Sequence, residues 1–465
     1  MSGLDDSFLS LETATQPLQV FGVLELDPAT VPGGYRFDRF RDALSIRLRG
    51  VPELREKLVD PPLNLDFPVW VEDTDFDIDR HVHRIAVPAP GGRAELEDLC
   101  GYLATVRLDH TRPLWHMWVI EGLERGRVAV MLMLHHALSD GVTYSKLMSR
   151  LCSAESDPPP PDLLPAAPVP SSVRIAIDGL FRFLRRPFRI AGLLPATLSA
   201  VVDSARRAVA GRAMAAPFSA PRTVLNGKLT ADRKVSFARL DLADVKKVAN
   251  HFGVKVNDVA LSLVGGQARR FFLERGELPA KSLTALVPVS AHGLSDSTAH
   301  NQVSGIHARL QTQIADPVER LRYVAQASAV DKEHSAAMGT LLNDWGEVIG
   351  PLPLGLAKRA YARLTRLRPM YNIVVSNVPG PPTPYLLGAA VRSMYSFGPV
   401  MLGVGLNVTL YSANGVLHIA VISCPALLPD PRSLADGFAP ALQELLDRIG
   451  ETPGESDLKA VSPTG

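Results

Sequence analysis

The stretch His135-His136-Ala137-Leu138-Ser139-Asp140-Gly141 follows an unbroken apolar run at residues 128–134. Such a run favours a strand that is buried on both faces, and the helical spacing at 142–151 predicts a helix after the stretch. Histidine is the side chain best suited to move a proton near neutral pH. Asp140, four residues after His136, can brace the loop, and Gly141 allows a close backbone approach. The stretch therefore predicts an α/β fold with a chemically active loop at the end of a buried strand.

Three other interpretations of this stretch have to be weighed. A zinc site made of His135, His136 and Asp140 is disfavoured, because neighbouring residues on a strand point to opposite faces. A serine hydrolase is disfavoured because the chain has no GxSxG sequence. The third interpretation makes one histidine a satisfied core residue and the other incidental, and the spacing to Asp140 and Gly141 weakens it. We expect no metal at this site.

Strand and helix patterns alternate on both sides of a central proline-rich segment. The pattern before it predicts strands at 18–26, 115–121 and 127–134, and helices at 38–49, with Asp38 as N-cap, and 94–108. The pattern after it predicts helices at 242–252 and 257–276, strands at 234–240, 283–289 and 371–377, and a hairpin of 402–411 and 416–423 that turns at Asn414-Gly415. Two α/β halves joined by a linker are the predicted architecture.

The linker itself is unusual in composition. Four consecutive prolines, Pro158 to Pro161, begin an extended segment, and residues 171–216 then mix apolar residues with many arginines. This pattern is typical of a helix in a membrane interface, and equally of two surface helices packed on the protein. We predict an N-terminal domain at 1–155, a linker at 156–221, a C-terminal domain at 222–450 and a flexible tail at 451–465.

Composition excludes several classes of protein. The formal charge of +1 argues against a global nucleic-acid binder, and 46% hydrophobic residues argue against disorder of the whole chain. Three distant cysteines build no disulfide framework, which favours a reducing compartment. The acidic N-terminus does not resemble a signal peptide, and without 18 uninterrupted apolar residues a spanning helix is not expected.

The motif HHALSDG is an instance of HHxxxDG, the signature of the CoA-dependent acyltransferase superfamily. Other segments narrow the resemblance to the bacterial wax ester synthase/diacylglycerol acyltransferase family, and they follow in the family's order from about residue 4 to residue 430. These segments are Leu4-Asp5 with Phe8-Leu9 and Glu12, Arg112-Pro113-Leu114-Trp115, Val256-Asn257-Asp258-Val259, residues 286–290, residues 376–381 and residues 406–409.

The resemblance implies an α/β (α+β) fold of two chloramphenicol-acetyltransferase-like domains with an active-site tunnel between them. It implies that His136 is the general base of an acyl transfer from acyl-CoA to diacylglycerol, with Asp140 supporting the loop and no cofactor. A wax ester synthase that uses long-chain alcohols is the alternative enzyme, and a non-catalytic lipid-binding protein is the alternative of another class. The expected location is the cytoplasm, at the inner membrane face or at lipid droplets, with residues 171–216 as the contact; no nucleic acid is expected to bind.

The resemblance also suggests residues that line the tunnel. The candidates are Pro113, Leu114, Trp115, Asn257, Asp258, Ser376, Asn377, Pro379, Gly380 and Asn407. Asn257 and Asp258 have a second explanation, because both residue types cap helix N-termini and a long helix is predicted to begin there. His292, His300 and Cys424 stand where the family commonly has other residues, so substrate preference can differ from that of the family.

Overall fold

The computed structural model describes residues 1–62, 66–162, 170–290, 303–338, 341–348, 368–382 and 384–449. His292, His300 and the predicted tail at 451–465 lie outside these ranges.

Two large mixed sheets form the centre of the molecule. The first contains seven strands in the order β4-β5-β6-β1-β13-β12-β7, and the second contains six in the order β10-β9-β11-β14-β15-β8. A separate ribbon pairs β2 with β3. The strands are β1 (Gln19–Asp27), β2 (Glu56–Val59), β3 (Val69–Glu72), β4 (Val82–Ala86), β5 (Trp115–Glu121), β6 (Val128–His135), β7 (Cys152–Ser153), β8 (Lys234–Asp241), β9 (Thr284–Ser290), β10 (Val303–Arg309), β11 (Ile373–Pro379), β12 (Tyr385–Leu386), β13 (Ala389–Phe397), β14 (Leu406–Ala413) and β15 (Val416–Ser423).

Helices cover the outer faces and ends of these sheets. In the part of the chain that the structure describes, the α-helices are α1 (Gly3–Leu11), α2 (Phe37–Arg47), α3 (Arg93–Leu103), α4 (Gly141–Leu151), α5 (Ser172–Val209), α6 (Leu242–Phe252), α7 (Val256–Glu274), α8 (Pro317–Met338), α9 (Leu341–Val348), α10 (Arg432–Asp436) and α11 (Phe438–Asp447).

The strand before the histidine pair is a central element of the first sheet. β6 is buried at all of its positions, which confirms the prediction from its apolar run. It lies between β5 and β1 and pairs antiparallel with both. Its carboxyl end at His135 is therefore held rigidly from both sides.

The first sheet is not built from the N-terminal half alone. β13 comes from residues far beyond the linker, yet it pairs with β1 from Phe21↔Phe397 to Asp27↔Ala390. β12 extends this sheet further and bonds to β7. The linker divides the chain into two halves, but the first sheet contains strands from both halves. The reason is that β1 would otherwise be a long, apolar edge strand, and β13 covers that edge.

The hairpin turn and helix α6 agree with the sequence predictions, and the start of α2 does not. The hairpin turns at Asn414-Gly415, where φ is 51° and 79°, and this pair of positive angles is the reason for the Asn-Gly sequence. Helix α6 has the predicted bounds. The assignment of Asp38 as N-cap was wrong: α2 begins at Phe37, Arg36 is the N-cap, and Asp38 lies in the first turn, where a carboxylate favours the helix dipole.

The basic part of the linker forms one helix, α5, rather than two. It continues through Pro187 and Pro195. By length and composition alone it qualifies as a membrane-crossing helix, although it has no 18 uninterrupted apolar residues. Ion pairs in its N-terminal half and hydrogen bonds in its C-terminal half hold it along the surface of the fold.

Opposite faces of α5 have different surroundings. One face contacts the protein: Trp345 donates a hydrogen bond to Thr197 (2.9 Å), and Ser204 bonds to His334 (3.0 Å). The other face carries an apolar stripe with helical spacing, which is exposed. The apolar stripe consists of Val173, Ile177, Leu180, Phe181, Leu184, Phe188, Leu194, Leu198, Val201 and Val202.

Candidate active site

A cavity of about 170 Å³ lies where the two sheets meet, next to the carboxyl end of β6. His136, Asp140 and Tyr144 line it from the first half of the chain, and Ser376 and Asn407 line it from the second. The remaining lining residues are mostly apolar: Phe8, Val20, Gly141, Leu286, Pro288, Val374, Val378, Ser396, Phe397, Gly398, Pro399, Met401 and Thr409. An apolar cavity with a few convergent polar groups is the usual form of a small-molecule site.

His136 is fixed at this cavity by its backbone and by its ring. Its N–H donates to the carbonyl oxygen of Leu18 (2.8 Å), which continues the β6–β1 pairing by one residue. Its imidazole stacks on the phenyl ring of Phe8, with ring centroids 4.0 Å apart and an angle of 11° between the planes. Since stacking holds one face of the imidazole, the ring nitrogens are oriented before any substrate binds.

Asp140 and Gly141 shape the loop after His136. Asp140 is the N-cap of α4, where its Oδ1 accepts a hydrogen bond from the N–H of Thr143 (2.8 Å). A Cβ added to Gly141 would lie 2.8 Å from Cγ2 of Val378, so only glycine lets α4 approach β11 this closely. Both residues thus support the loop mechanically, although both also line the cavity.

His135 faces away from the cavity and belongs to a second polar cluster. Its side chain is fully buried, its Nδ1 accepts a hydrogen bond from the N–H of Ala137 (3.0 Å), and its Nε2 lies 3.8 Å from Oε2 of Glu12. The same oxygen of Glu12 lies 2.9 Å from Nε2 of His110. Burial lowers the pKa of His135, so the ring is neutral near pH 7. Burial opposes ionisation of Glu12, but the close contact with His110 and the nearby ring of His135 outweigh it and lower the pKa of Glu12 to about 2.

Glu12, His110 and His135 have the spacing of a metal site, but their hydrogen bonds do not fit one. The N–H of Ala137 requires a lone pair on Nδ1 of His135, so the proton of the neutral ring sits on Nε2. A metal ion on Nε2 would move this proton to Nδ1, where it would face the N–H of Ala137. The zinc site of His135, His136 and Asp140 does not form either, because His135 lies with Glu12 while the other two line the cavity.

Two of the candidates from the C-terminal half lie at the cavity. Ser376 projects from β11, and Asn407 lies at the start of β14. Asn407 is fully hydrogen-bonded to the protein: its Nδ2 donates to the carbonyl oxygen of Pro399 (2.9 Å), and its Oδ1 accepts from the hydroxyl of Thr409 (3.0 Å). Asn407 therefore shapes the 396–401 loop that forms one wall.

Asn257 and Asn377 meet at a different place. Nδ2 of Asn377 donates to Oδ1 of Asn257 (3.3 Å), and both side chains line a second cavity of about 280 Å³ between the second sheet and its helices. Asp258 caps α7, since its Oδ2 accepts a hydrogen bond from the N–H of Lys255 (3.0 Å), as the capping explanation predicted.

The remaining candidates are packing residues and do not line either cavity. Leu114 and Trp115 are fully buried, and the indole N–H of Trp115 donates to the carbonyl oxygen of Leu54 (2.7 Å). Pro113 introduces this strand. Pro379 ends β11, and its carbonyl oxygen accepts a hydrogen bond from the hydroxyl of Ser145 (3.2 Å). Gly380 lies against the ring of Tyr411, where a Cβ would clash. Their family motifs thus mark structural contacts around the site.

Sequence reasoning missed other parts of the site. Tyr144 lies one turn into α4 and reads as a core residue, although it lines the cavity. Val20 also lines the cavity, but it lies on β1, whose apolar sequence predicts only a buried strand. The 396–401 loop contains Gly398-Pro399, a turn signal that could have marked it.

Comparison with known proteins assigns the chain to a family. Residues 1–260 match the wax ester synthase/diacylglycerol acyltransferase catalytic domain, and residues 299–446 match the C-terminal domain of the same family. A Mycobacterium tuberculosis H37Rv protein, named by inference as a diacylglycerol O-acyltransferase, is 47% identical over 461 residues, which is 98% of this chain and 92% of that protein. A second protein of that strain, named in the same way, is 34% identical over 98% of this chain and 99% of its own length.

Solved structures agree with this assignment. The wax ester synthase/diacylglycerol acyltransferase from Marinobacter aquaeolei VT8 superposes with a TM-score of 0.68 at 27% identity, covering 96% of this chain and 99% of that chain. The first condensation domain of the calcium-dependent antibiotic synthetase shares the fold, with a TM-score of 0.55 at 15% identity, covering 99% of this chain and 98% of that one. This chain therefore belongs to the wax ester synthase/diacylglycerol acyltransferase family, and it is an acyltransferase.

Proposed function

We propose that this protein transfers a fatty acyl group from acyl-CoA to the free hydroxyl of diacylglycerol, which forms triacylglycerol and CoA. The observation that carries the proposal is the position of His136, held by Phe8 and Leu18 at an apolar cavity between the two sheets. The names of the two mycobacterial relatives support diacylglycerol as the acceptor.

The reaction follows from general-base catalysis. Neutral His136 takes the proton of the acceptor hydroxyl while that oxygen attacks the thioester carbonyl. The tetrahedral intermediate then collapses, the C–S bond breaks, and the imidazolium returns its proton to the CoA thiolate. A positioned base contributes about 10²–10⁴-fold. No covalent acyl-enzyme and no resident cofactor are needed, because acyl-CoA is itself the activated substrate.

The direct test is His136→Ala. We expect kcat/KM for palmitoyl-CoA and dioleoylglycerol to fall at least about 100-fold, with an unchanged melting temperature. His251→Ala is the matched control, since that histidine is exposed in the last turn of α6. Release of CoA thiol and formation of triacylglycerol are measured together. Wild-type turnover in the His136→Ala variant would show that another group is the base.

A wax ester synthase is the second candidate, because the Marinobacter protein of similar structure is named for both activities. Hexadecanol and dioleoylglycerol, compared at equal palmitoyl-CoA, decide between the two acceptors. If neither acceptor promotes CoA release, the acceptor is another lipid alcohol.

We also propose that α5 docks the enzyme on a lipid surface, at the cytoplasmic membrane face or at lipid droplets. The apolar stripe is exposed and unusually rich in large residues; Phe188 is 79% exposed. The guanidinium of Arg185 lies over the ring of Phe181, 3.9 Å from its centroid. Exposed apolar groups flanked by arginines favour the interface of an anionic bilayer.

Arg185→Glu with Arg189→Glu tests this docking. Arg182 and Arg186 are left unchanged, because both bind Asp66 at 3.2 Å and so hold the helix to the protein. We expect co-sedimentation with phosphatidylglycerol liposomes to fall several-fold. Lys246→Glu with Lys247→Glu, on exposed positions of α6, is the charge-matched control. Equal liposome binding by the two double variants would refute the role of α5.

A further inference from the structure

The second sheet has an open seam between two neighbouring strands. β9 and β11 pair at only two positions, Ala285↔Ile373 and Leu286↔Val374. Beyond these positions β9 continues along β10, while β11 continues along β14 to Pro379. Pro288, which follows the last paired residues of β9, has no N–H to donate. The two strands therefore have no ladder pairs beyond Leu286 and Val374, although both continue along the active-site cavity.

Cavities lie on both sides of this seam. The front cavity contains His136, and the rear cavity of about 280 Å³ lies between the sheet and helices α7 and α8. Pro288 lines both of them. On β11, Ser376 lines the front cavity and the next residue, Asn377, lines the rear one, as the alternation of a strand requires. The unpaired seam thus separates the front cavity from the rear cavity.

The rear cavity contains a buried acid that the proposed chemistry does not use. Asp331, on α8, is 1% exposed, and among the described residues neither of its carboxylate oxygens has a hydrogen-bond partner. Ser328 lies one helical turn before it and lines the same cavity. Burial raises the pKa of Asp331 to about 7, against the opposing charge of Arg309. A buried carboxyl group without a partner is costly, and a ligand that pairs with it removes that cost.

Apart from Lys332, a cation beside Asp331, the other walls of the rear cavity are uncharged and suited to a neutral, narrow chain. Apolar side chains form most of them, and Asn257, Asn377 and Ser328 add uncharged hydrogen-bonding groups. The apolar lining residues are Leu261, Val287, Val289, Ile306 and Ala308.

We propose that the rear cavity binds an uncharged, carbonyl-bearing segment of a substrate, to which the protonated carboxyl group of Asp331 donates a hydrogen bond, while the reactive end reaches His136 past the seam. This inference rests on the proposed function. Two substrates carry such carbonyls: acyl-CoA in the amides of its pantetheine arm, and diacylglycerol in its esters. The experiment below distinguishes the two sources.

Among the described residues of β10, α5, α7, α8 and α11, Arg309 is the charged group that acts on the pKa of Asp331. Arg309 comes from β10, and Lys332 is the neighbour of Asp331 on α8. From α5, Arg207 pairs with Glu333 instead. The charged groups between α8 and α11 lie near the N-terminal end of α8, far along the helix from Asp331. They are Asp316, Arg320, Glu444 and Arg448.

Asp331→Leu removes the polar group at similar volume, and Asp331→Asn keeps an uncharged donor. We expect Asp331→Leu to raise KM at least tenfold for one substrate, palmitoyl-CoA or dioleoylglycerol, with kcat changed less than threefold; the affected substrate is the one in the rear cavity. Glu333→Gln, an exposed carboxylate two positions along the same helix, is the control.

The pH dependence gives a second readout. In the wild type, ionisation above about pH 7 removes the donor and leaves a buried charge, so KM for that substrate rises between pH 7 and 8.5. In Asp331→Asn this KM stays flat. If Asp331→Leu does not fold, the pH profiles of KM in the wild type and in Asp331→Asn still test the inference.

Two results would overturn the inference: unchanged KM for both substrates in folded Asp331→Leu, or the same pH profile of KM in wild type and Asp331→Asn. If the wild type has no turnover with these substrates, the proposed function fails separately. Calorimetric titration with palmitoyl-CoA, and with dioleoylglycerol in detergent micelles, then tests the cavity: pH-dependent binding in the wild type but not in Asp331→Asn supports it, and identical binding in both refutes it.

Discussion

Two adjacent histidines have different surroundings because a strand turns neighbouring side chains to opposite sides. His136 lines the cavity and stacks on Phe8, whereas His135 is buried beside Glu12. The hydrogen bond from Ala137 to Nδ1 fixes the tautomer of His135 and closes the first turn of the loop. The proposed proton transfer thus involves one imidazole, while the other supports the geometry of the loop.

Replacing Gly141 by alanine tests the close approach of α4 to β11. The new methyl group would meet Cγ2 of Val378 at 2.8 Å, so one element must move. We expect a loss of about 1–3 kcal/mol in the free energy of unfolding, measured by urea denaturation, and a lower kcat. Val378→Ala in the same chain restores part of both. A lack of rescue would show that the glycine matters for another reason.

Glu12→Gln tests the buried carboxylate beside His135. The pKa of Glu12 in the folded protein is about 2, below its ordinary value of 4.5, so its ionised form stabilises the fold above about pH 4.5 and this contribution is lost as the pH falls toward 2. The contribution is about 2–3 kcal/mol at neutral pH. We expect the free energy of unfolding of the wild type to decrease more between pH 5 and pH 3 than that of Glu12→Gln. Parallel pH profiles would contradict the shifted pKa.

Among the elements, those with strong local signals were predictable. The predictions of β6, of the Asn414-Gly415 turn and of helix α6 were correct. Each depends on a property of residues that are close in sequence: an apolar run, turn angles and helical spacing. For the basic segment the sequence left one helix and two helices as alternatives, and the structure has one, α5, which continues through Pro187 and Pro195. Packing is an ordinary role for a tryptophan, but the hydrogen bond of Trp115 to Leu54 could not be deduced, because Leu54 is distant in sequence.

The attachment of α5 can be tested at Asp66, which binds Arg182 and Arg186. We expect Asp66→Asn to speed tryptic cleavage within residues 172–189 several-fold, because the N-terminal half of the helix loses its charged contact with the protein. Asp203→Asn, where the partner is Arg206 on the same exposed helix, is the control and should leave the cleavage rate unchanged. Equal rates in all three proteins would mean that apolar contacts alone hold this half.

At the scale of the whole molecule, the position of β13 makes the two sheets interdependent. It pairs with β1 from Phe21 to Asp27, while β6 pairs with β1 from Gln19 to Leu26 on the other side. The site shares this dependence, because Ser396 and Phe397 at the end of β13 line the cavity beside His136.

Expression of residues 1–221 alone tests this interdependence. Without β13 and β12 the fragment exposes the apolar edge of β1, so we expect it to aggregate and to lack a cooperative unfolding transition. The full chain should lose circular dichroism and activity together in one transition. A soluble, cooperatively unfolding fragment would show that the first sheet is stable on its own.

The same strand exchange has a consequence during synthesis. The ribosome must add about 370 residues after β1 before its second partner leaves the exit tunnel, which takes tens of seconds at the usual elongation rates. Once β6 has paired with one edge of β1, the other edge remains an exposed apolar strand until β13 is made. We therefore expect refolding yield to rise when a chaperone that binds apolar segments is added.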